Sequence, residues 1–280
     1  MSFPGVSASE LYGACSCRSL VIMLALMFPL AELTAQEHEE DHDHDHLHFS
    51  HPLVTESPSP DTKLRLDYIG TRISDQIGLH ENVVRLEGEY AFNHSVSVSV
   101  VTPFVWRTAP SASRASGLGN IEVSLKAASL MFGDRGLLLG GGLSSALPTG
   151  NDSKGIGSGH IVELEPFLDL GYRRNGLEFV GLARASSTFR RRAGEEVERT
   201  LAFDFSALYQ LQSRLEGLIE LTTERALFGP DAGLPRTSIA PGLKAFPFQN
   251  RQIMFGASVE LGTGAIHETR ALLLSGFYHF

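Results

Sequence analysis

From about residue 62 onward the chain alternates between apolar and polar positions. In 121–131, Ile121, Val123, Leu125 and Ala127 share one face, and Glu122, Ser124 and Lys126 the other. A period of two marks a strand, because successive side chains of a pleated backbone point to opposite faces. A tight break at 132–136 reverses the chain into a second run, 137–147. A Gly-rich polar loop, 148–160, leads into a third, where Val162, Leu164, Leu168, Leu170 and Tyr172 oppose Glu163, Glu165 and Asp169. Short turns alternating with longer loops, with one greasy and one polar face, are how a strand-built membrane barrel is written.

The same rhythm predicts strands at 62–73, 82–92, 96–106, 177–189, 200–211, 215–226, 237–246, 252–261 and 269–280, which makes about twelve in all. Asn175-Gly176 is the strongest hairpin turn, since both positions tolerate φ > 0. Pro241 weakens the tenth strand, and 107–116 reads as a loop. No long helical stripe interrupts the series. The fold class expected is therefore all-β: a transmembrane antiparallel up-and-down β-barrel. An even strand number lets the first and last strands close the wall without a free edge, whose bare N–H and C=O groups hydrocarbon would not tolerate. The chain ends on Phe280, an outward aromatic of the kind barrel assembly machinery reads. A soluble β-sandwich is the rival architecture.

Composition changes this picture little, because a mean hydropathy near zero and 42% hydrophobic residues suit a soluble protein and a barrel alike. The N-terminus adds more. Residues 20–30, LVIMLALMFPL, follow Arg18 and precede Ala35, which reads as a signal peptide over 1–35, too short to span as a helix. Cys15 and Cys17 both fall within it, so the mature chain has no thiol for a disulfide or a metal.

Residues 36–61 read as a disordered His/Asp-rich tail followed by a Pro-rich linker, with 62–280 forming the barrel. The tail carries His38, His42, His44, His46, His48 and His51, six of the chain's 11 histidines. Six acids are interleaved with them, in a chain of 23 basic and 32 acidic residues, so the acidity belongs to the tail and the body is close to neutral. Such a run cannot bury enough surface to order itself. Imidazoles alternating with carboxylates make a flexible chelator for Zn, Cu, Ni or Co, the competing reading being a solvated acidic leader. No cofactor is required by anything in the sequence.

With apolar faces outward, the lumen candidates are Arg65, Arg85, Glu87, Glu122, Lys126, Glu163, Glu165, Asp169, Arg184, Asp204, Glu216 and Glu220, joined by Glu89 and Glu224. They either select solutes or pair with one another to fill the interior; Lys126 and Arg184 are the expected partners of Glu163, Glu165 and Asp169. Twelve strands enclose less than the 16 to 18 of open porins. The loop 155–159 lacks the Lys-Ser/Thr pair of a phosphate cradle, and no basic patch with aromatics speaks for nucleic acid. His94, His160, His267 and His279 sit in no nucleophile motif, so an outer-membrane lipid hydrolase is disfavoured.

Four stretches, Gly117-Leu118-Gly119-Asn120, Leu147-Pro148-Thr149-Gly150, Gly155-Ile156-Gly157-Ser158-Gly159 and Gly171-Tyr172-Arg173, resemble the outer-membrane transporter family named for the meta-pathway of phenol degradation. Asn120 stands where that family more usually has Asp. The resemblance covers about a fifth of the chain and implies a transporter-type barrel without catalytic residues. The expectation is a bacterial outer-membrane channel, in contact with outer-membrane lipid, that passes a small solute passively. Two readings stay open: a link to divalent metal handling through the tail, beside an efflux system, and a channel for hydrophobic or aromatic compounds.

Overall fold

The computed structural model describes residues 47–74, 79–108, 114–132, 135–190, 197–229, 232–264 and 268–280. The signal peptide, His38, His42, His44, His46 and His267 lie outside these residues.

The strands are β1 Lys63–Ser74, β2 Leu79–Asn93, β3 Val96–Thr108, β4 Ala115–Leu118, β5 Glu122–Phe132, β6 Leu137–Ala146, β7 Val162–Arg174, β8 Leu177–Arg190, β9 Arg199–Gln212, β10 Leu215–Phe228, β11 Pro235–Ala245, β12 Ile253–Gly264 and β13 Glu268–His279. Sequence neighbours pair antiparallel, and β1 pairs with β13 from Lys63↔His279 to Ser74↔Glu268, closing the wall. The count of twelve stands because β4 and β5 share one place. β3 pairs with β4 along Phe104–Arg107 and with β5 along Val96–Val101, the step between them falling at 119–121. Part of what the alternation assigns to the 107–116 loop is therefore ladder. Pro241 has the effect its missing N–H implies: β11 keeps its register with β10 there, but its ladder with β12 skips from Ile239↔Leu261 to Gly242↔Ser258.

Alternation decides which side chains meet lipid. In β9, Ala202, Asp204, Ser206 and Leu208 are buried, while Phe203, Phe205, Tyr209 and Leu211 are exposed. Leu168 at the middle of β7 is 71% exposed, and the terminal Phe280 lies outside, its ring edge-on to Tyr278 at 4.8 Å. A belt of exposed Leu, Val and Phe around a closed wall is unsuited to water and suited to hydrocarbon. The end carrying the tight turns at 94–95, 175–176 and 213–214 also carries both ends of the wall, and is the periplasmic end by the rule of short periplasmic turns.

The inward faces are not charged throughout. Leu138, Val180, Leu208, Leu218, Met254, Leu273 and Phe277 point into the lumen and cluster with Phe49 and Leu53. The latter two belong to the segment read from sequence as linker.

Candidate functional site

Residues 47–61 run inside the barrel. Phe49, His51, Leu53, Thr55, Ser57 and Ser59 are buried, as are Pro52, Pro58 and Pro60. For 47–61 the expectation of a solvated tail and linker therefore gives way to a plug. An irregular segment shut away from water must find partners for its N–H and C=O groups. Charged side chains of the wall supply them. Arg173 donates to the carbonyl of His48, Lys244 to that of His51 (2.9 Å), Arg65 to that of Leu53 and Lys126 to that of Ser57 (2.9 Å). In the opposite sense, Glu178 accepts from the amide of Ser50 (2.8 Å), Glu220 from those of Val54 (3.0 Å) and Thr55 (2.9 Å), and Glu89 from that of Asp61 (3.3 Å). The prolines suit the same task, since each brings no N–H to satisfy.

Side chains lock the plug from both directions. The Phe49 ring lies so close to Gly171 that a Cβ there would meet it at 2.7 Å, and Leu53 presses on Gly256 at 2.3 Å by the same measure. Lys63, fully buried, reaches Glu56 (3.1 Å), Glu87 (3.1 Å) and Glu89 (2.8 Å); Lys126 reaches Glu56 (3.0 Å) and Glu89 (3.3 Å). Burial alone would raise the Glu56 carboxyl, but Lys126, Lys63 and Arg65 outweigh it and hold it well below the usual carboxylate range.

Above the plug, on the side of the longer loops, lies a cavity of about 450 Å³. Its acids are Glu56, Glu87, Glu122, Glu163, Glu165, Asp204 and Glu260, against Arg85, Lys126 and Arg184. Arg184 pairs with Asp204 (2.9 Å) and Glu165 (3.7 Å), and Arg85 lies 3.5 Å from Asp67 and 3.9 Å from Glu87. Glu122 accepts from Ser144 at 2.6 Å. Among the described residues Glu163 and Glu260 face no cation within 4.0 Å, which leaves the vestibule negative.

All twelve predicted lumen residues lie inside the wall. Arg65, Glu87, Lys126, Asp169, Asp204, Glu216 and Glu220 are buried; Arg85, Glu122, Glu163, Glu165 and Arg184 border the vestibule. Glu224 is half-buried on β10. The expected partnership of Arg184 with Glu165 is present. Lys126 instead turns to the plug, and both carboxylate oxygens of Asp169 are buried without a hydrogen bond. Of the predicted metal ligands, His51 is buried and His48 exposed; their ring nitrogens approach Asp61 Oδ2 at 3.0 and 3.5 Å, and His279 Nδ1 joins at 2.6 Å. Alternation does not single out Asp61 or His279, and only Leu47, Phe49, Leu53 and Val54, apolar in a polar stretch, hint that 47–61 is buried. Burial and the neighbouring Lys63 hold the His51 imidazole well below its usual value. Burial would raise Asp61, yet hydrogen bonds from His279, His48 and His51 bring it well below the carboxylate range.

Three of the four stretches that carry the family resemblance meet at the outer rim, while Gly171-Tyr172-Arg173 lies at the opposite end, beside the 175–176 turn. Asn120 Oδ1 accepts from Ser158 N at 2.7 Å, and Gly157, at φ 61°, has no room for a Cβ beside it. Ile156 is buried against Gly117, and Asn151 bridges Ile156. These motifs fold the 148–160 loop back on the β3–β4 hairpin. In that loop Ser158 Oγ (3.2 Å) and Asp152 Oδ2 (3.0 Å) both meet the same His160 nitrogen, Nδ1, unlike a relay, which runs through both ring nitrogens.

No family model matches the chain, nor does any curated protein. Solved structures similar to it are bacterial outer-membrane proteins. An outer-membrane channel from Pseudomonas putida F1 has a TM-score of 0.62 at 13% identity, over 79% of this chain and 96% of that one. The NanC porin has 0.53 at 11%, over 77% and 100%. The β-domain of the Bordetella autotransporter BrkA has 0.50 at 12%, over 78% and 99%. The chain has the outer-membrane porin and channel fold, and a closed wall with an apolar exterior belongs in the bacterial outer membrane.

Proposed function

We propose that the barrel is a passive outer-membrane channel for small polar solutes, cations before anions, with the 47–61 plug setting how much passes. The observation that carries this reading is the vestibule: a space of about 450 Å³ lined by seven carboxylates and three cationic groups, ending on a plug held by polar contacts. An interior of this kind favours hydrated solutes over hydrophobic or aromatic compounds. The resemblance of 117–173 to outer-membrane transporters supports the same class. Divalent metal ions are one kind of cation that such a lumen would admit, and the His/Asp run 37–51 lends that kind weight. Phe280, exposed beside Tyr278, suits recognition by barrel assembly machinery.

Planar-bilayer conductance tests the proposal. The chain lacking residues 47–60 should conduct more than the full mature chain, with a reversal potential that favours cations. Glu163→Gln with Glu260→Gln should reduce that preference. If neither form conducts, or anions pass more readily, the reading fails.

A further inference from the structure

We propose that His48, His51, Asp61 and His279 form a binding site for a zinc-class divalent metal ion, which pins both ends of the plug to the seam of the barrel. The imidazoles of His48, His51 and His279 each aim a nitrogen at one oxygen, Asp61 Oδ2, at 3.5, 3.0 and 2.6 Å. The ligand atoms of His48, His51 and Asp61 lie within 4.8 Å of one another. The His51 and His279 rings lie side by side, centroids 5.3 Å apart at 33°. One carboxylate oxygen has two lone pairs, so three ring nitrogens crowding it are more than hydrogen bonding uses. Three imidazoles and a carboxylate are a tetrahedral set for zinc, whose bonds of roughly 2.0–2.2 Å would draw these atoms around a common centre. Nitrogen-rich ligation disfavours calcium and magnesium, which take oxygen.

The backbone of His51 is fixed from outside the site. The His51 carbonyl accepts from Lys244, and its Nδ1 faces Lys63 at 3.2 Å. That ammonium has three protons for four acceptors, His51 and three carboxylates. It can release His51 when the ring proton moves to Nδ1, freeing Nε2 for the ion, and still match every proton to a carboxylate. The placement gives the site a consequence. His48 and His51 open the plug, Asp61 closes it, and His279 is the last residue of β13, so a single ion ties both ends of the plug to the wall. The His/Asp run stands immediately upstream in sequence, a supply of weaker ligands beside a fixed set.

The binding itself rests on these side chains alone; its effect on passage rests on the channel reading. The test uses the full mature chain in detergent, with His38, His42, His44 and His46 changed to Ala so that the run contributes nothing. Calorimetry with Zn²⁺ should still find one site per chain at micromolar or tighter affinity, and Co²⁺ should give the visible absorption of four-coordinate nitrogen-oxygen ligation. His279→Ala and His48→Ala, each retaining heat-modifiable migration on a gel, should weaken binding at least about tenfold. Asp61→Asn, which keeps the shape of the side chain but removes its charge, should do the same. Loss of all binding in the four-alanine background, or affinity indifferent to these three changes, overturns the site. In bilayers Zn²⁺ should lower the conductance of the wild type and leave the chain lacking 47–60 unaffected. If the latter conducts nothing while Zn²⁺ still binds, the channel reading falls and the site stands.

Discussion

Lys63 shows how much depends on single residues at the junction of plug and wall. Its ammonium is out of reach of water and answers three carboxylates, Glu56, Glu87 and Glu89. Lys63→Met would keep much of the volume and leave three buried acids to Lys126 and Arg85 alone, and breaking a buried ion pair by removing one partner costs up to about 3–5 kcal/mol. The urea midpoint of the folded band on a heat-modifiability gel should fall accordingly, and Lys63→Arg should recover most of the loss. An unchanged midpoint for Lys63→Met would mean that water reaches these carboxylates. Nothing in the local sequence marks Lys63 out from Arg65 or Asp67, its neighbours on the same inward face. Their inward direction is legible from alternation. Their partners are not, because Glu56 arrives from the plug and Glu87 and Glu89 from β2.

At the scale of elements, the plug has no ladder of its own, and its docking depends on charge. Glu56 has a folded-state pKa below its unfolded value, since Lys126, Lys63 and Arg65 outweigh burial. A group depressed in this way contributes stability above its unfolded value, near 4.5, and that contribution is lost as pH falls through and below it. Single-channel conductance of the wild type should therefore rise, or flicker to larger levels, as the bath is taken below about pH 4.5 toward the depressed folded-state value. Glu56→Gln should show the larger levels already at pH 7 and respond less to acid. A wild type as closed well below pH 4.5 as at pH 7 would rule out charge as the latch. The strands were legible because each is written in its own residues: β1, β9 and β13 fall within a residue or so of the alternating runs. From sequence the plug is indistinguishable from a linker for a physical reason. Pro52, Pro58 and Pro60 say only that no regular ladder forms, which is equally true of a solvated tether and of a buried segment held by side chains.

On the scale of the whole molecule, the closed wall divides space into lipid, lumen and two aqueous ends. Leu168 is the clearest lipid-facing probe, at the middle of β7 and 71% exposed. Leu168→Arg should cost about 2–4 kcal/mol at mid-bilayer depth, read from urea unfolding in lipid vesicles. Thr222→Arg, which faces the vestibule, should cost much less and shift selectivity instead. Equal costs at the two positions would mean that the wall does not separate lipid from water. The site was half legible at this scale. That Arg65, Lys126, Glu216 and Glu220 face inward follows from alternation, but four of the inward charges hold a plug where pairing or solute contact was expected.

What the sequence determined by itself is the barrel. Period-two alternation is a local property, an outer face suited to hydrocarbon needs only the right residue types at alternate positions, and an even run of such strands has one way to leave no edge. What only the tertiary structure decided is the content of the barrel. Whether 47–61 stays in water depends on carbonyls meeting Arg65, Lys126, Arg173 and Lys244, and on amides meeting Glu89, Glu178 and Glu220. Those groups come from seven strands, and nothing short of closure brings them to one place.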